Sequence, residues 1–265
     1  MSHAAASWAS LQAIRQGAPL VHNITNFVSM EVVANCLLAL GASPAMVHAE
    51  EEVEDFLAIA RSLVINIGTL SPPWVAAMKR AAAQASALGR PWVLDPVGAG
   101  ATPYRTRTAL ELIELCPTAI RGNGSEILAL AGASSAPTRG VDSSHGSDEA
   151  VDAARRLARS AGAVVAVTGA IDRITDGERW REVSNGDARM TRVTALGCAA
   201  SAVIGAFLTV ERDPLEAAAQ GLAVFGLAGE RAAASAAGPG SLRWRIVDEL
   251  ALLDETIVRA GVKIA

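Results

Sequence analysis

Short runs of β-branched and other apolar residues alternate with longer stretches in which apolar positions recur at helical spacing, almost from end to end of the chain. The short runs predict strands at 19–24, 44–48, 63–68, 92–96, 119–121 and 164–168. The longer ones predict helices at 28–40, 50–60, 73–88, 106–115, 126–131 and 147–160. Residues 63–65 and 164–167 are apolar throughout, as in strands covered on both faces. Such alternation implies βαβ units: an α/β fold with a mostly parallel central sheet and helices on both faces. Beyond 168 the pattern changes. Residues 171–175 and 180–183, separated by Asp176-Gly177, predict an antiparallel hairpin at the sheet edge. Helical patterns follow at 199–210, 214–236 and 242–260, the last two broken by Gly238-Pro239-Gly240. The Ser-, Pro- and Gly-rich stretch 133–146 reads as a loop too short for a linker, so one domain is expected over 1–265.

Composition narrows the function. With 51% hydrophobic and 19% charged residues, the chain has ample apolar surface for a core. The charge sum, 23 − 27 = −4, comes without a basic block and argues against a nucleic-acid partner. The longest apolar stretch, 199–210, falls short of the ~18 residues that span a bilayer. Cys36, Cys116 and Cys198 lie far apart and form no metal-type cluster, which suits free thiols in a reducing compartment. No secretory-type apolar core precedes Gly17, and a cytoplasmic location is expected. The excess of apolar over charged residues fits either a large core or surface hidden in an oligomer.

In open α/β sheets ligands bind at the carboxyl ends of the strands, and several chemistry-bearing residues fall there. Asp95 leaves an apolar strand into Pro-Val-Gly-Ala-Gly, where it suits Mg²⁺ or a simple turn cap. Arg121 precedes Gly-Asn-Gly-Ser-Glu: the arginine offers a fork for phosphate oxygens, and Glu126 could hold a metal through water. Asn123 with Glu126 is equally the pattern of a helix capping box. Thr168-Gly169 closes another strand and suits a nucleotide or an ordinary turn. Gly197-Cys198 opens an apolar helix, whose free amides and dipole favour an anion and would lower a thiol pKa; a small buried cysteine is the plainer reading. His22-Asn23-Ile24-Thr25-Asn26 concentrates hydrogen-bonding side chains at the end of the first strand, and Met46 closes the next. There is no GxGxxG fingerprint at Gly98-Ala99-Gly100, and no P-loop anywhere.

Taken together, HNITN (22–26), LALGASPAM (38–46), INIGTLS (65–71), LDPVGAGATPYR (94–105), AIRGNGSEI (119–127), VTG (167–169), GCAASAVIGAF (197–207) and GPGS (238–241) resemble the hydroxyethylthiazole kinase family. These are thiazole-salvage enzymes of thiamine biosynthesis in the ribokinase-like superfamily. The resemblance implies a three-layer αβα fold and phosphorylation of 4-methyl-5-(2-hydroxyethyl)thiazole with ATP and Mg²⁺. It also implies a homotrimer with active sites between subunits. By the same resemblance Arg121 and Thr168 bind ATP, and Met46, Ala195 and Asn23 contact the thiazole. Gly197, Cys198 and Ala199 form an anion hole, Cys198 is catalytic, and Asp95 and Glu126 serve the metal.

Two positions depart from the family pattern, Gly-(Thr/Ala)-Gly-Cys: the chain reads Ala195-Leu196-Gly197-Cys198. If that first position has positive φ, alanine costs about 1 kcal/mol. The departure keeps a non-catalytic thiazole-binding protein open beside the kinase. A lyase of the same superfamily, such as ATP-dependent NAD(P)H-hydrate dehydratase, is a third reading, against which Cys198 and HNITN speak.

Overall fold

The computed structural model describes residues 2–133 and 146–265. Its strands are β1 (Leu20–Ile24), β2 (Ser43–Met46), β3 (Ser62–Asn66), β4 (Trp92–Asp95), β5 (Ala119–Asn123), β6 (Val164–Thr168), β7 (Asp172–Thr175) and β8 (Trp180–Val183). They form one sheet in the order β2-β1-β3-β4-β5-β6-β7-β8. The first six are mutually parallel; β7 and β8 add antiparallel at the edge, where the Asp-Gly signal predicts the hairpin.

Alternate residues of the parallel strands face opposite cores. Val64 packs into one, while Leu63 and Ile65 pack into the other. The second core is covered by α3 (Val53–Ile59), α4 (Pro72–Ala87), α5 (Pro103–Ile113), α6 (Gly124–Ala133) and α7 (Gly146–Ala161). The first is covered by α2 (Met30–Leu40), α8 (Leu196–Phe207), α9 (Pro214–Ser235) and α10 (Pro239–Leu252), with α1 (His3–Gly17) and α11 (Glu255–Gly261) alongside. Helices on both faces of a largely parallel sheet make the expected three-layer arrangement. The apolar run at 199–210 is buried almost all round because α8 lies between the sheet and α9.

Several boundaries differ from the sequence expectation for physical reasons. The alanine-rich N-terminal segment is helix α1, started by Ser2, whose hydroxyl accepts from the Ala5 amide. The single helix expected over 242–260 is two. Asp254 caps α11 by accepting from the Ile257 amide (2.8 Å), and Arg15 of α1 binds the carbonyls of Leu250 and Leu253 that close α10. A 3₁₀ turn at Ala188–Arg192, capped by Asp187, interrupts the segment between β8 and α8. Of the loop expected at 133–146, residues 134–145 lie outside the described residues.

Candidate active site

The parallel strands end side by side at Ile24, Asn66, Asp95, Asn123 and Thr168, with α8 beginning beside them. A chain of buried polar side chains crosses these ends. Asn26 Nδ2 donates to Asn66 Oδ1 (2.9 Å), Asn66 Nδ2 donates to Asp95 Oδ2 (2.8 Å), and Ser201 of α8 donates its hydroxyl to the same oxygen (2.8 Å). Asp95 Oδ1 has no hydrogen-bond partner among the described residues. Burial pushes the Asp95 carboxyl up to about 6, although Arg121 nearby and the Ser201 bond pull the other way. An aspartate held this dry, with one oxygen uncommitted, is ready to receive a cationic partner.

The head of α8 presents free backbone amides and the positive end of the helix dipole. Ala195 caps it in the left-handed region (φ 68°), the positive φ that makes alanine costly there. The Ala199 amide already donates to the Ala195 carbonyl (2.9 Å), so Ala199 drops out of the expected anion hole. The free amides at the helix start are those of Leu196, Gly197 and Cys198. Leu196 itself is buried in the core.

Facing this helix start is Arg121, whose Nη2 donates to Thr168 Oγ1 (2.6 Å). Arg121 Nε is buried without a partner among the described residues. Glu126 is a complete capping residue. Its two oxygens accept from the amides of Gly98 (2.9 Å) and Asn123 (2.8 Å), while Asn123 Oδ1 accepts from the Glu126 amide (3.0 Å).

Cys198 departs from expectation in its ionisation. The helix dipole favours a thiolate, but burial and the neighbouring Asp95 charge raise the thiol pKa, and the sulfur accepts from Asn26 Nδ2 (3.4 Å). Cys198 is a neutral thiol near pH 7. Asn23 also departs. It is 1% exposed, and its Nδ2 donates back to the carbonyls of Val21 (2.8 Å) and Ala45 (3.4 Å), tying β1 to β2. Three residues on, it is Asn26 that reaches the sulfur. Met46, in register with Asn23 at the end of β2, is partly buried against the core.

Beyond Arg121 a cavity of about 690 Å³ extends between the hairpin, the 3₁₀ turn and α9. Its apolar part includes Met190, Leu222 and Phe225. Sequence reasoning misses two members of the hydrogen-bonded chain: Asn66 carries a signal, a lone amide in an apolar strand, whereas Ser201 carries none. Arg105 is a further positioning residue: its guanidinium binds the carbonyls of Ile67, Val97 and Gly68, bracing the loops that follow β3 and β4.

The model of the hydroxyethylthiazole kinase family matches residues 11–256. The chain belongs to this family. A hydroxyethylthiazole kinase of Arabidopsis thaliana is 52% identical, over 97% of this chain and 94% of its own. The solved hydroxyethylthiazole kinase of Pyrococcus horikoshii OT3 superposes with a TM-score of 0.91 at 44% identity, covering 98% of both chains. A ribokinase-like superfamily protein of Enterococcus faecalis V583 shares the fold, with a TM-score of 0.64 at 13% identity over 87% of this chain and 86% of its own. The chain thus shares its three-layer fold with a ribokinase-like superfamily protein.

Proposed function

We propose that the chain transfers the γ-phosphoryl group of ATP to the primary hydroxyl of 4-methyl-5-(2-hydroxyethyl)thiazole, a salvage step of thiamine biosynthesis. The observation that carries this reading is the meeting of Arg121 with the free amides of Leu196–Cys198 at the mouth of the cavity. A cation and a helix N-terminus converging on one point favour a polyphosphate. Family membership favours the kinase over the lyase and binding-protein readings.

Catalysis here consists mostly of positioning and charge stabilisation. Arg121, held by Thr168, grips phosphate oxygens. The amides of Leu196, Gly197 and Cys198 receive the charge on the moving phosphoryl group. Cys198, as a neutral thiol fixed by Asn26, orients the attacking hydroxyl; as its oxygen bonds to the γ-phosphorus and the bond to ADP breaks, its proton passes to an oxygen of the transferred phosphoryl group. The free Oδ1 of Asp95 fits Mg²⁺ directly and Glu126 fits it through water; no cluster of three ligating side chains occurs among the described residues, as suits an ion that arrives with phosphates. When bound, Mg²⁺ would neutralise charge on the β- and γ-phosphates.

We further propose one kinase domain over 1–265, a cytoplasmic location, and a homotrimer with its sites between subunits. Among the described residues no helix is long and apolar enough to cross a membrane. Phe27 and Val28, 65% and 61% exposed directly after Asn26, offer apolar surface beside the site for a neighbouring subunit. The test is ADP release with Mg·ATP and hydroxyethylthiazole, with hydroxymethylpyrimidine as the control alcohol. Turnover dependent on the thiazole supports the proposal; a folded, ATP-binding protein silent with it overturns the proposal.

A further inference from the structure

The cavity beyond Arg121 contains a carboxylate that neither the fold nor the proposed chemistry explains. Asp172, the first residue of β7, lines the cavity, and its Oδ1 accepts from the Gly169 amide (3.0 Å). Its other oxygen has no hydrogen-bond partner among the described residues. The second aspartate lining the cavity, Asp187, is fully engaged: it accepts from the Arg189 amide and binds the Arg189 guanidinium through both oxygens. Capping a turn explains half of Asp172. The other oxygen is uncommitted in a residue that lines the cavity, free to accept from whatever occupies it.

The chemistry of the groups lining the cavity says what that donor is. Arg121 and Gly197 occupy the phosphate end, and Met190, Leu222 and Phe225 provide the apolar surface at which a base can sit. Gly226 shapes that base end, since a β-carbon there would stand 2.7 Å from the Asn185 backbone. Asp172 opens β7 four residues after Thr168 and lines the same cavity as Arg121. In any nucleotide the sugar links phosphate to base. A sugar with two vicinal hydroxyls offers two donors to one carboxylate, a charge-assisted arrangement about twice as strong as a neutral one.

We infer that Asp172 recognises the ribose hydroxyls of the nucleotide and makes the enzyme selective for ribo- over deoxyribonucleotides. The inference rests on the reading of the cavity as the nucleotide site. Asp172 acts here as a specificity residue and takes no part in the transfer itself.

The test is calorimetric binding of ATP, 2′-deoxy-ATP, 3′-deoxy-ATP and GTP to the full chain and to Asp172→Ala and Asp172→Asn. The native chain should bind ATP about 10- to 100-fold more tightly than at least one deoxy analogue, the range expected for hydrogen bonds to a charged group. Asp172→Ala should bind ATP and that analogue alike, and Asp172→Asn should retain part of the preference. A merely structural role would weaken all four ligands together and leave the ratios unchanged. Equal native affinity for ATP and both deoxy analogues overturns the inference without need of any variant. So does a variant that changes the ATP-to-GTP ratio but not the ribo-to-deoxy ratio, since the carboxylate would then read the base. Folded protein that binds none of the nucleotides overturns the reading of the cavity as well.

Discussion

Gly197 and Arg121 approach so closely that a β-carbon on the glycine would stand 2.7 Å from Arg121 Nη1. The glycine is what allows a guanidinium to lie against the start of α8, so that one phosphate can meet both the cation and the free amides. Gly197→Ala should push the guanidinium away and strain its bond to Thr168. The expected result is a rise of about tenfold or more in KM for ATP, with folding retained, read from initial rates against ATP concentration. An unchanged KM would show that Arg121 does not hold the phosphates.

Ala195 holds φ at 68°, in the left-handed region that favours glycine. Ala195→Gly should relieve the left-handed strain, partly offset by the greater freedom of glycine in the unfolded chain. The net expectation is a stabilisation of up to about 1 kcal/mol, or a rise of about 2–4 °C in Tm by calorimetry. A lower Tm would mean that the alanine methyl contributes packing worth more than the strain.

The carboxyl of Asp95 is raised from 3.8 to about 6 in the folded protein. The folded state therefore holds that proton more tightly than the unfolded chain. The contribution is fully present below about pH 4 and is lost as pH rises through 6. Asp95→Asn removes the buried charge and keeps an oxygen to accept from Asn66 and Ser201. In the absence of ligands it should be about 2–3 kcal/mol more stable than the native chain at pH 8, with the gap closing towards pH 4. It should also lose most activity. Chemical denaturation at the two pH values decides, and a variant less stable at pH 8 would contradict the desolvation argument.

The three cysteines should react in a definite order. Cys116 is exposed; Cys36 is buried with its thiol pushed up to about 12; Cys198 is raised by burial and by Asp95. Iodoacetamide at pH 8, followed by peptide mass spectrometry, should label Cys116 first and leave Cys198 and Cys36 slow. Rapid labelling of Cys198 would restore a thiolate. As an orienting group, Cys198 changed to Ala should lower kcat by at most about 100-fold and leave KM for ATP unchanged.

Much of this protein was legible in one dimension because its physics is local. Strand runs with side chains alternating between two cores, helical spacing between them, and the Asp176-Gly177 turn are properties of neighbouring residues, and they determine the layered sheet and the line of strand ends. Asp95, Arg121, Thr168 and Gly197 stand out for the same reason: each interrupts an apolar run at a strand end or helix start. What the tertiary structure alone decided involves residues distant in sequence. Asn26, Asn66, Asp95 and Ser201 come from three elements and the loop after β1, and form one hydrogen-bonded chain only after the sheet and α8 pack. Arg15 reaches across to the end of α10 and helps divide a helix whose periodicity runs on unbroken. Asn23 and Asn26 are equivalent as letters; only the register of β1 against β2 turns one back into the sheet and leaves the other facing the sulfur. The ionisation of Cys198 was decided in the same way. The helix start, legible locally, favours the thiolate, but the burial and the Asp95 charge that outweigh it exist only in the folded chain, because desolvation belongs to an environment and not to a residue.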